Sequence, residues 1–155
     1  MRITLEPMTG AQVSDFLEAI LPSYVAERAA ADHVSSEAAD RYARAQYAQL
    51  LPDGHLTAGH HFLRMVAINS GQSVGGVWFW IDSENKQAFL YNITILPQYR
   101  RRGFASDALM LIEEIAREAG CATLGLNVFS SNSEAIALYS RVGFCPVSSY
   151  WNKAL

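Results

Sequence analysis

The stretch from Phe89 to Ala119 constrains the fold more than any other part of the chain. It begins with an apolar, β-branched run over Phe89–Ile95, which predicts a strand. A Leu-Pro step and a basic loop, Arg100–Ser106, follow. The loop leads into apolar residues spaced three and four apart, which predicts an amphipathic helix that ends at Gly120. A strand, a basic glycine loop and a helix in this order predict an α/β (α+β) fold.

The loop has the composition of an anion-binding turn. The first turn of a helix carries backbone N–H groups without partners and a partial positive charge. Gly103 and Ala105 carry almost no side chain, so a phosphate can approach the backbone, and three neighbouring arginines add charge. These features predict a phosphate or pyrophosphate ligand. They leave open the alternative that the loop is only a basic turn that caps a structural helix.

Composition argues against several classes of protein. Half of the 155 residues are hydrophobic and 17% are charged, which predicts a single folded domain over 1–155. The net charge of −3 argues against a nucleic-acid-binding protein. The apolar runs are shorter than the roughly 20 residues of a membrane span, and Met1–Glu6 has no apolar core of a signal peptide. Cys121 and Cys145 show no metal-ligand spacing, so we expect no metal and a cytoplasmic location.

The remaining elements follow from hydrophobic spacing and from capping and turn residues. A first helix begins at a capping box formed by Thr9 and Gln12, and Pro22 is expected to interrupt or kink it before the helical pattern resumes over Tyr24–Ala31. Gly75 and Gly76 predict a bulge or a close backbone approach within a strand. The other expected elements are strands over 2–7, 61–68, 73–81 and 122–129, helices over 35–50 and 131–141, and one or two closing strands over 144–155.

Two parts of the sequence resemble the GNAT superfamily of acetyl-CoA-dependent N-acetyltransferases. Arg100–Ala105 resembles the family's R/Q-x-x-G-x-G/A signature and stands between a strand and a helix, as the family requires. Asn127–Asn132, Ala135–Tyr139 and Val142–Phe144 resemble a second family feature. The resemblance implies a mixed, twisted β-sheet with helices on both faces and a splayed central strand pair, here 89–95 and 122–129.

The same resemblance implies how acetyl-CoA would bind. Its pantetheine arm would lie in the opening between the two splayed strands, and its pyrophosphate would bind backbone N–H groups of Arg101–Ser106. Asn132 would contact the cofactor, because the neighbouring Ser131 can cap the helix that follows. The implied cofactor-binding residues are Ile93, Thr94, Ile95, Arg100, Arg101, Arg102, Gly103, Phe104, Ala105, Ser106, Asn132 and Tyr139.

The implied reaction is transfer of an acetyl group to a primary amine by direct attack in a ternary complex. By resemblance, Tyr139 would donate a proton to the departing thiolate. Relatives carry a carboxylate base where this chain has Asn127, or Asn92 and Thr94, and these groups cannot act as bases at neutral pH. His60 and His61, near the start of a strand that should border the cleft, are the remaining candidate bases.

Other readings stay open. The missing carboxylate is also compatible with a catalytically silent acyl-CoA-binding or sensing module. The arginine triplet could serve a nucleic-acid-associated protein, although the acidic net charge opposes this. The acceptor wall, expected over Tyr24–Gly59, does not distinguish a small amine, an amino acid, an antibiotic or a protein N-terminus. We expect no membrane partner, and either a monomer or a homodimer.

Overall fold

The computed structural model describes the whole chain, residues 1–155. It contains five strands, four helices and two short 3₁₀ turns, the turns at Gly54–Leu56 and Pro97–Tyr99. The strands are β1 (Ile3–Pro7), β2 (His60–Ala67), β3 (Ser73–Asp82), β4 (Gln87–Ile95) and β5 (Thr123–Leu126), and the helices are α1 (Gly10–Asp32), α2 (Ser36–Leu50), α3 (Phe104–Glu118) and α4 (Ser133–Arg141).

The strands form one mixed sheet in the order β1-β2-β3-β4-β5. The first four are antiparallel neighbours, whereas β5 runs parallel to β4. The parallel pair requires a crossover, which α3 supplies between β4 and β5. The predicted mixed sheet is therefore confirmed, and its central strand carries the basic loop at its carboxyl end.

The chain forms two compact units, one made of residues 1–16 and 53–127 and the other of residues 17–52 and 128–155. The first unit holds the sheet and α3, which packs against β4 and β1. Full burial of a side chain such as Leu109 or Ile112 of α3 stabilises the fold by about 1.5–3 kcal/mol. The main large side chains buried in this unit are Ile3, Phe62, Met65, Val77, Trp78, Phe79, Leu90, Leu109 and Ile112.

The second unit has a small core of its own, in which α1 packs on α2. Leu21 and Val25 of α1 are buried against Ala39 and Ala43 of α2. The alanines on α2 allow a close approach but bury little surface, as its composition predicts. The single domain over 1–155 stays a prediction. No helix of the chain is long and apolar enough to cross a membrane.

Local signals predict several helix ends correctly. The capping box opens α1, since the Thr9 N–H donates to Gln12 Oε1 (2.9 Å) and the Gln12 N–H to Thr9 Oγ1 (3.2 Å). Ser35 caps α2. The predicted interruption of α1 is wrong, because the helix continues through Pro22 to Asp32. The buried neighbours Leu21 and Val25 offset the hydrogen bond that the proline cannot make.

Two predicted strands also differ from the structure. β5 ends at Leu126, so it is shorter than the expected 122–129, and residues 144–155 form no closing strand. Apolar residues form a strand only where a neighbouring strand satisfies the backbone N–H and C=O groups. The last segment lacks such a ladder, and its Val147, Tyr150 and Trp151 side chains are exposed.

Candidate active site

The basic loop presents backbone rather than side-chain groups at the start of α3. Gly103 occupies the N-cap position with a φ of 84°, a left-handed conformation that favours glycine. It offers no side chain to cap the helix, and no other side-chain cap is present. N–H groups at an uncapped helix start take partners from water or from a ligand. The geometry fits an anion at Phe104, Ala105 and Ser106.

A residue that the sequence did not point to, Arg2, lies beside this loop. The Arg2 backbone N–H donates to Asp107 Oδ2 (2.7 Å), and Arg2 Nη1 donates to Asp107 Oδ1 (3.1 Å). A side chain added at Gly103 would collide with the Arg2 guanidinium. This clamp joins the start of β1 to the first turn of α3 and places the Arg2 guanidinium, paired with the Asp107 carboxylate, beside the loop. The two residues are 105 positions apart, so no local pattern could have paired them.

The three loop arginines are all exposed. Arg100 Nε donates to the carbonyl oxygen of Ile95 at 3.1 Å, which turns this side chain back towards the end of β4. The Arg102 guanidinium lies 5.7 Å from the centre of the Tyr99 ring. Arg101 has a positive φ of 60°, which brings the chain into the turn before Gly103. Two of the three arginine side chains thus contact neighbouring parts of the fold. The groups that the loop offers to a ligand are therefore mainly backbone groups.

The central strands separate where the resemblance requires it. β5 pairs with β4 only over Gln87–Leu90, and β4 then continues to Ile95 with β3 as its sole strand partner. Tyr91 is an extra residue in β4, because Trp78 of β3 faces Asn92 while Phe79 faces Leu90. The bulge changes the direction of β4 at the point where it separates from β5. The backbone of Ile93, Thr94 and Ile95 therefore faces an opening without a strand partner on the β5 side.

A close approach between β3 and β4 shapes the wall opposite this opening. A Cβ added at Gly75 would collide with the carbonyl oxygen of Thr94, so only glycine lets the strands come this near. A Cβ at Gly76 would meet the side chains of Met8 and Phe16, at 2.7 and 2.8 Å. The predicted close backbone approach is confirmed at Gly75, whereas the close neighbours of Gly76 are side chains.

Aromatic side chains cover one face of the sheet next to the bulge. The His60 ring lies 5.6 Å from the Tyr91 ring and 5.9 Å from the Trp78 ring, measured between centroids. Trp78 Nε1 donates a hydrogen bond of 2.9 Å to His60 Nδ1. We call this group the aromatic cluster; its members are His60, Phe62, Trp78, Trp80, Phe89 and Tyr91.

His61 lies on the opposite face of the sheet, because successive side chains of a strand alternate. Its ring stacks on the buried Phe79, with centroids 4.9 Å apart. Burial lowers the pKa of both histidines, and for His60 the neighbouring His61 adds to the effect. Both histidines also border a cavity of about 180 Å³, together with His55. The structure contains no group of three or more His, Cys, Asp or Glu side chains that could hold a metal ion.

Comparison with known proteins identifies the fold family. Residues 20–144 match the model of the acetyltransferase (GNAT) family. The chain belongs to the GNAT family. The uncharacterized N-acetyltransferase YycN of Bacillus subtilis (strain 168) is 31% identical over 159 residues, with 100% of both chains covered. The crystal structure of YycN superposes with a TM-score of 0.90 at 29% identity, covering 99% of this chain and 98% of YycN.

Two other N-acetyltransferases share less with the chain. The ribosomal protein bS18 alanine N-acetyltransferase of Escherichia coli (strain K12) is 46% identical over 59 residues, which are 37% of this chain and 39% of that enzyme. The PaiA N-acetyltransferase of Thermoplasma acidophilum, solved in complex with coenzyme A, has a TM-score of 0.69. It is 18% identical, with 97% of this chain and 94% of that chain covered, so it shows the fold alone.

The positions at which the resemblance implies a carboxylate base hold Asn127, Asn92 and Thr94 in this chain. Asn127 follows the end of β5 and is exposed. Asn92 and Thr94 point to the same face of β4, and the Thr94 hydroxyl donates to Asn92 Oδ1 at 2.6 Å. This pair can orient a polar group of a ligand, but neither residue can take up a proton at neutral pH.

The two GNAT residues of the second unit lie on and before α4. The Ala135 N–H donates to Asn132 Oδ1 at 3.2 Å, so Asn132 itself caps the helix, and the expectation that Ser131 would do so is wrong. Its side-chain N–H₂ remains available for a ligand. Tyr139 packs edge-on against Phe144, with ring centroids 5.7 Å apart. Burial raises the pKa of Tyr139, so its hydroxyl stays protonated at neutral pH.

The helices of the second unit hold a caged cation. The Arg28 guanidinium carbon lies 5.1 to 5.5 Å from the ring centres of Phe129, Tyr24 and Tyr42. Arg28 Nη2 also donates to the Tyr24 hydroxyl at 3.0 Å, whereas Arg28 Nε is buried without a hydrogen-bond partner. No local sequence pattern predicts this cage, because its residues come from three separate segments.

Proposed function

We propose that the protein is an N-acetyltransferase that moves an acetyl group from acetyl-CoA to a primary amine by direct attack in a ternary complex. The observation that carries the proposal is the separation of β4 from β5, next to an uncapped α3 start at Gly103. A linear chain with amides can pair with the open side of β4, and a pyrophosphate fits the helix start. The coenzyme A in the structure of the PaiA relative supports the same ligand.

The proposed cofactor contacts are mostly made by backbone. Ile93, Thr94 and Ile95 would pair with the pantetheine amides in the manner of an added strand. The N–H groups from Arg101 to Ser106 would hold the pyrophosphate, with the charge of the arginine triplet and of Arg2 around it. In the second unit, the side-chain N–H₂ of Asn132 is the proposed further contact.

Proton transfer sets the chemical requirement on the side chains. An alkyl amine with a pKa of about 10.4 must lose a proton before it attacks, at a cost of roughly 4.6 kcal/mol at pH 7. The acetyl-CoA thioester supplies the acyl group, and the products are an amide and the free thiol. We propose that Tyr139 donates the proton that the thiolate takes up, since a pKa raised by burial keeps its hydroxyl protonated at neutral pH.

The proton of the amine needs a different route. Since Asn127 and Asn92 replace the carboxylates of relatives, we propose that no single protein carboxylate accepts it directly. Ordered water carries it away, and His60 and His61 are the candidate protein groups along this route. The names of the relatives, including the bS18 alanine N-acetyltransferase, support a nitrogen acceptor without identifying the amine.

Location and assembly belong to the same proposal. We propose a cytoplasmic enzyme, which the two free cysteines support, since oxidising compartments favour disulfides. The partners are acetyl-CoA and an amine, with neither nucleic acid nor membrane, and the protein is a monomer or a homodimer.

The test is a thiol-release screen with acetyl-CoA over a broad library of amines, alongside calorimetric titration with coenzyme A. We expect coenzyme A to bind and at least one class of primary amine to release thiol. Coenzyme A binding without turnover across the library would favour the silent binding module instead. Absence of coenzyme A binding to the folded protein would refute the proposal as a whole.

A further inference from the structure

The environment of His60 determines which ring nitrogen can carry a proton. An indole N–H can only donate a hydrogen bond. The Trp78 N–H donates to His60 Nδ1, so Nδ1 must offer its lone pair and cannot itself hold a hydrogen. In the neutral ring the proton then sits on Nε2. Trp78 is 1% exposed, so water does not readily replace its bond to the histidine.

We infer that Trp78 fixes His60 as the neutral Nε2–H tautomer, which makes His60 a hydrogen-bond donor and excludes it as the base that deprotonates the amine. This inference rests on the proposed function only for the identity of the reaction. A base must take up a proton on a free lone pair, and the single lone pair of this tautomer is already bound to Trp78. His60 would donate through Nε2 to an oxygen of the acceptor or of ordered water.

Protonation of His60 would place two donors against each other. The Nδ1–H that it creates would face the Trp78 N–H, and the buried indole would lose its acceptor. The titratable groups near the ring are Tyr91 of β4, the adjacent His61, and His55 across the cavity. None of these is an anion at neutral pH that would favour an imidazolium, and burial already lowers the pKa of His60.

His61 differs from His60 in the face of the sheet on which it lies and in its hydrogen bonding. It lies on the face of the sheet opposite to Asn92, and it stacks on Phe79 without a hydrogen bond that would fix its tautomer. Of the two neighbouring histidines, His60 therefore has a fixed tautomer and donates a hydrogen bond, whereas the tautomer of His61 is not fixed. The proton route proposed above therefore does not pass to His60.

The direct test is nitrogen NMR of the protein labelled with ¹⁵N in histidine, recorded without ligands from pH 5 to 8. We expect the His60 signals to show an unprotonated Nδ1 and a protonated Nε2 down to a pH below 6.5. Trp80→Phe is the matched control, since the Trp80 ring also lies near His60, whereas the hydrogen bond to His60 Nδ1 comes from Trp78. It should leave the tautomer unchanged, whereas Trp78→Phe should produce a mixture. A protonated Nδ1 in the wild type at pH 7 would overturn the inference, whatever the variants do.

Steady-state kinetics provide a second test, because a purely structural role of His60 would not produce the expected pattern of pH profiles and rates. His60→Gln places an amide donor near the Nε2 position but cannot accept a proton. We expect it to lower kcat/KM by roughly three- to tenfold and to leave the shape of the pH profile unchanged. His60→Leu, which lacks the donor, should lose more. Loss of a profile limb together with at least a hundredfold fall in His60→Gln would identify His60 as the base and overturn the inference. The NMR result stands even if no acetyl transfer is found, so the two proposals fail separately.

Discussion

The basic loop and the aromatic cluster lie in the same unit but follow opposite principles. In the loop, backbone groups form the proposed ligand-binding surface, whereas the Arg100 side chain donates a hydrogen bond to the carbonyl oxygen of Ile95. In the cluster, side-chain rings and one indole–imidazole hydrogen bond set the chemistry, and the β2 and β3 backbones that carry most of the rings are paired within the sheet. A backbone site can be recognised from a short motif, whereas a side-chain site depends on which strands become neighbours.

The strongest test of the backbone site is Gly103→Glu. It places an anion where the pyrophosphate is proposed to bind and would displace the Arg2 guanidinium. We expect coenzyme A affinity to fall by more than about 1,000-fold, which corresponds to roughly 4 kcal/mol. Calorimetric titration measures the effect.

Gly120→Glu is the matched control for this substitution. Gly120 has the same φ of 84°, but a Cβ there meets nothing within 4 Å. Both variants carry the same backbone strain, so only Gly103→Glu should lose coenzyme A. Removal of one side chain, Arg101→Ala, should cost less than about fivefold if the backbone makes most of the contacts. Equal affinities of the two glutamate variants would break the comparison.

The corresponding test of side-chain chemistry is Tyr139→Phe. It keeps the ring that packs on Phe144 and removes only the proton donor. We expect kcat to fall by about 10- to 1,000-fold, with coenzyme A affinity nearly unchanged. Steady-state kinetics with a responsive amine measure this, and Tyr150→Phe, at an exposed tyrosine, is the control. An unchanged kcat under conditions where chemistry limits the rate would make Tyr139 a packing residue.

A smaller effect is expected where the two strands β3 and β4 come closest. Gly75→Ala adds a methyl group against the Thr94 carbonyl, so the strands must move apart. We expect a loss of stability of about 1–3 kcal/mol and a raised KM for acetyl-CoA, because the Thr94 backbone shifts. Urea unfolding and kinetics measure the two effects. In Gly125→Ala the new methyl meets the Phe89 ring at 3.4 Å, an ordinary contact, so this control should be milder on both counts.

The smallest effect concerns pH. Burial lowers the folded-state pKa of His60 and His61, so the unfolded chain binds protons more readily. Their contribution to stability is complete above the unfolded pKa of about 6.5 and is lost as pH falls through the folded pKa. We therefore expect the free energy of unfolding to decrease between pH 7.5 and 5.5. Urea unfolding of wild type and the double variant His60→Gln/His61→Gln measures it. The exposed His33→Gln is the control, and an equal pH dependence in all three proteins would contradict the expectation.

Much of the fold was predictable because its signals are local. The capping box at Thr9, the glycine end of α3 and the bulge region at Gly75 each depend on a few neighbouring residues. The wrong predictions depend on distant partners instead. The continuity of α1 through Pro22 reflects burial in the α1–α2 core, and the segment after Phe144 fails to form a strand for want of a neighbour.

The candidate site likewise combines features that a local motif predicts with features that depend on distant residues. The motif predicted a loop that opens α3 and a separation of β4 from β5, and the structure contains both. The ligand contacts of the residues beside them stay predictions. The motif could not predict the Arg2–Asp107 clamp or the bond between Trp78 and His60, because residues far apart in sequence make them. The proposed roles of Asn132 and Tyr139 stay predictions.

The one-sided half of β4 has a consequence for the survival of the protein as well as for its chemistry. From Tyr91 to Ile95 the strand exposes a row of backbone groups to the opening, because β5 covers only the first half of β4. A ligand that fills this row would act as a temporary strand and would oppose local opening of the sheet. At a free concentration 100 times its Kd, such a ligand stabilises a protein by about 2.7 kcal/mol. The supply of acetyl-CoA would then influence how long the chain resists proteolysis, in addition to how fast it works.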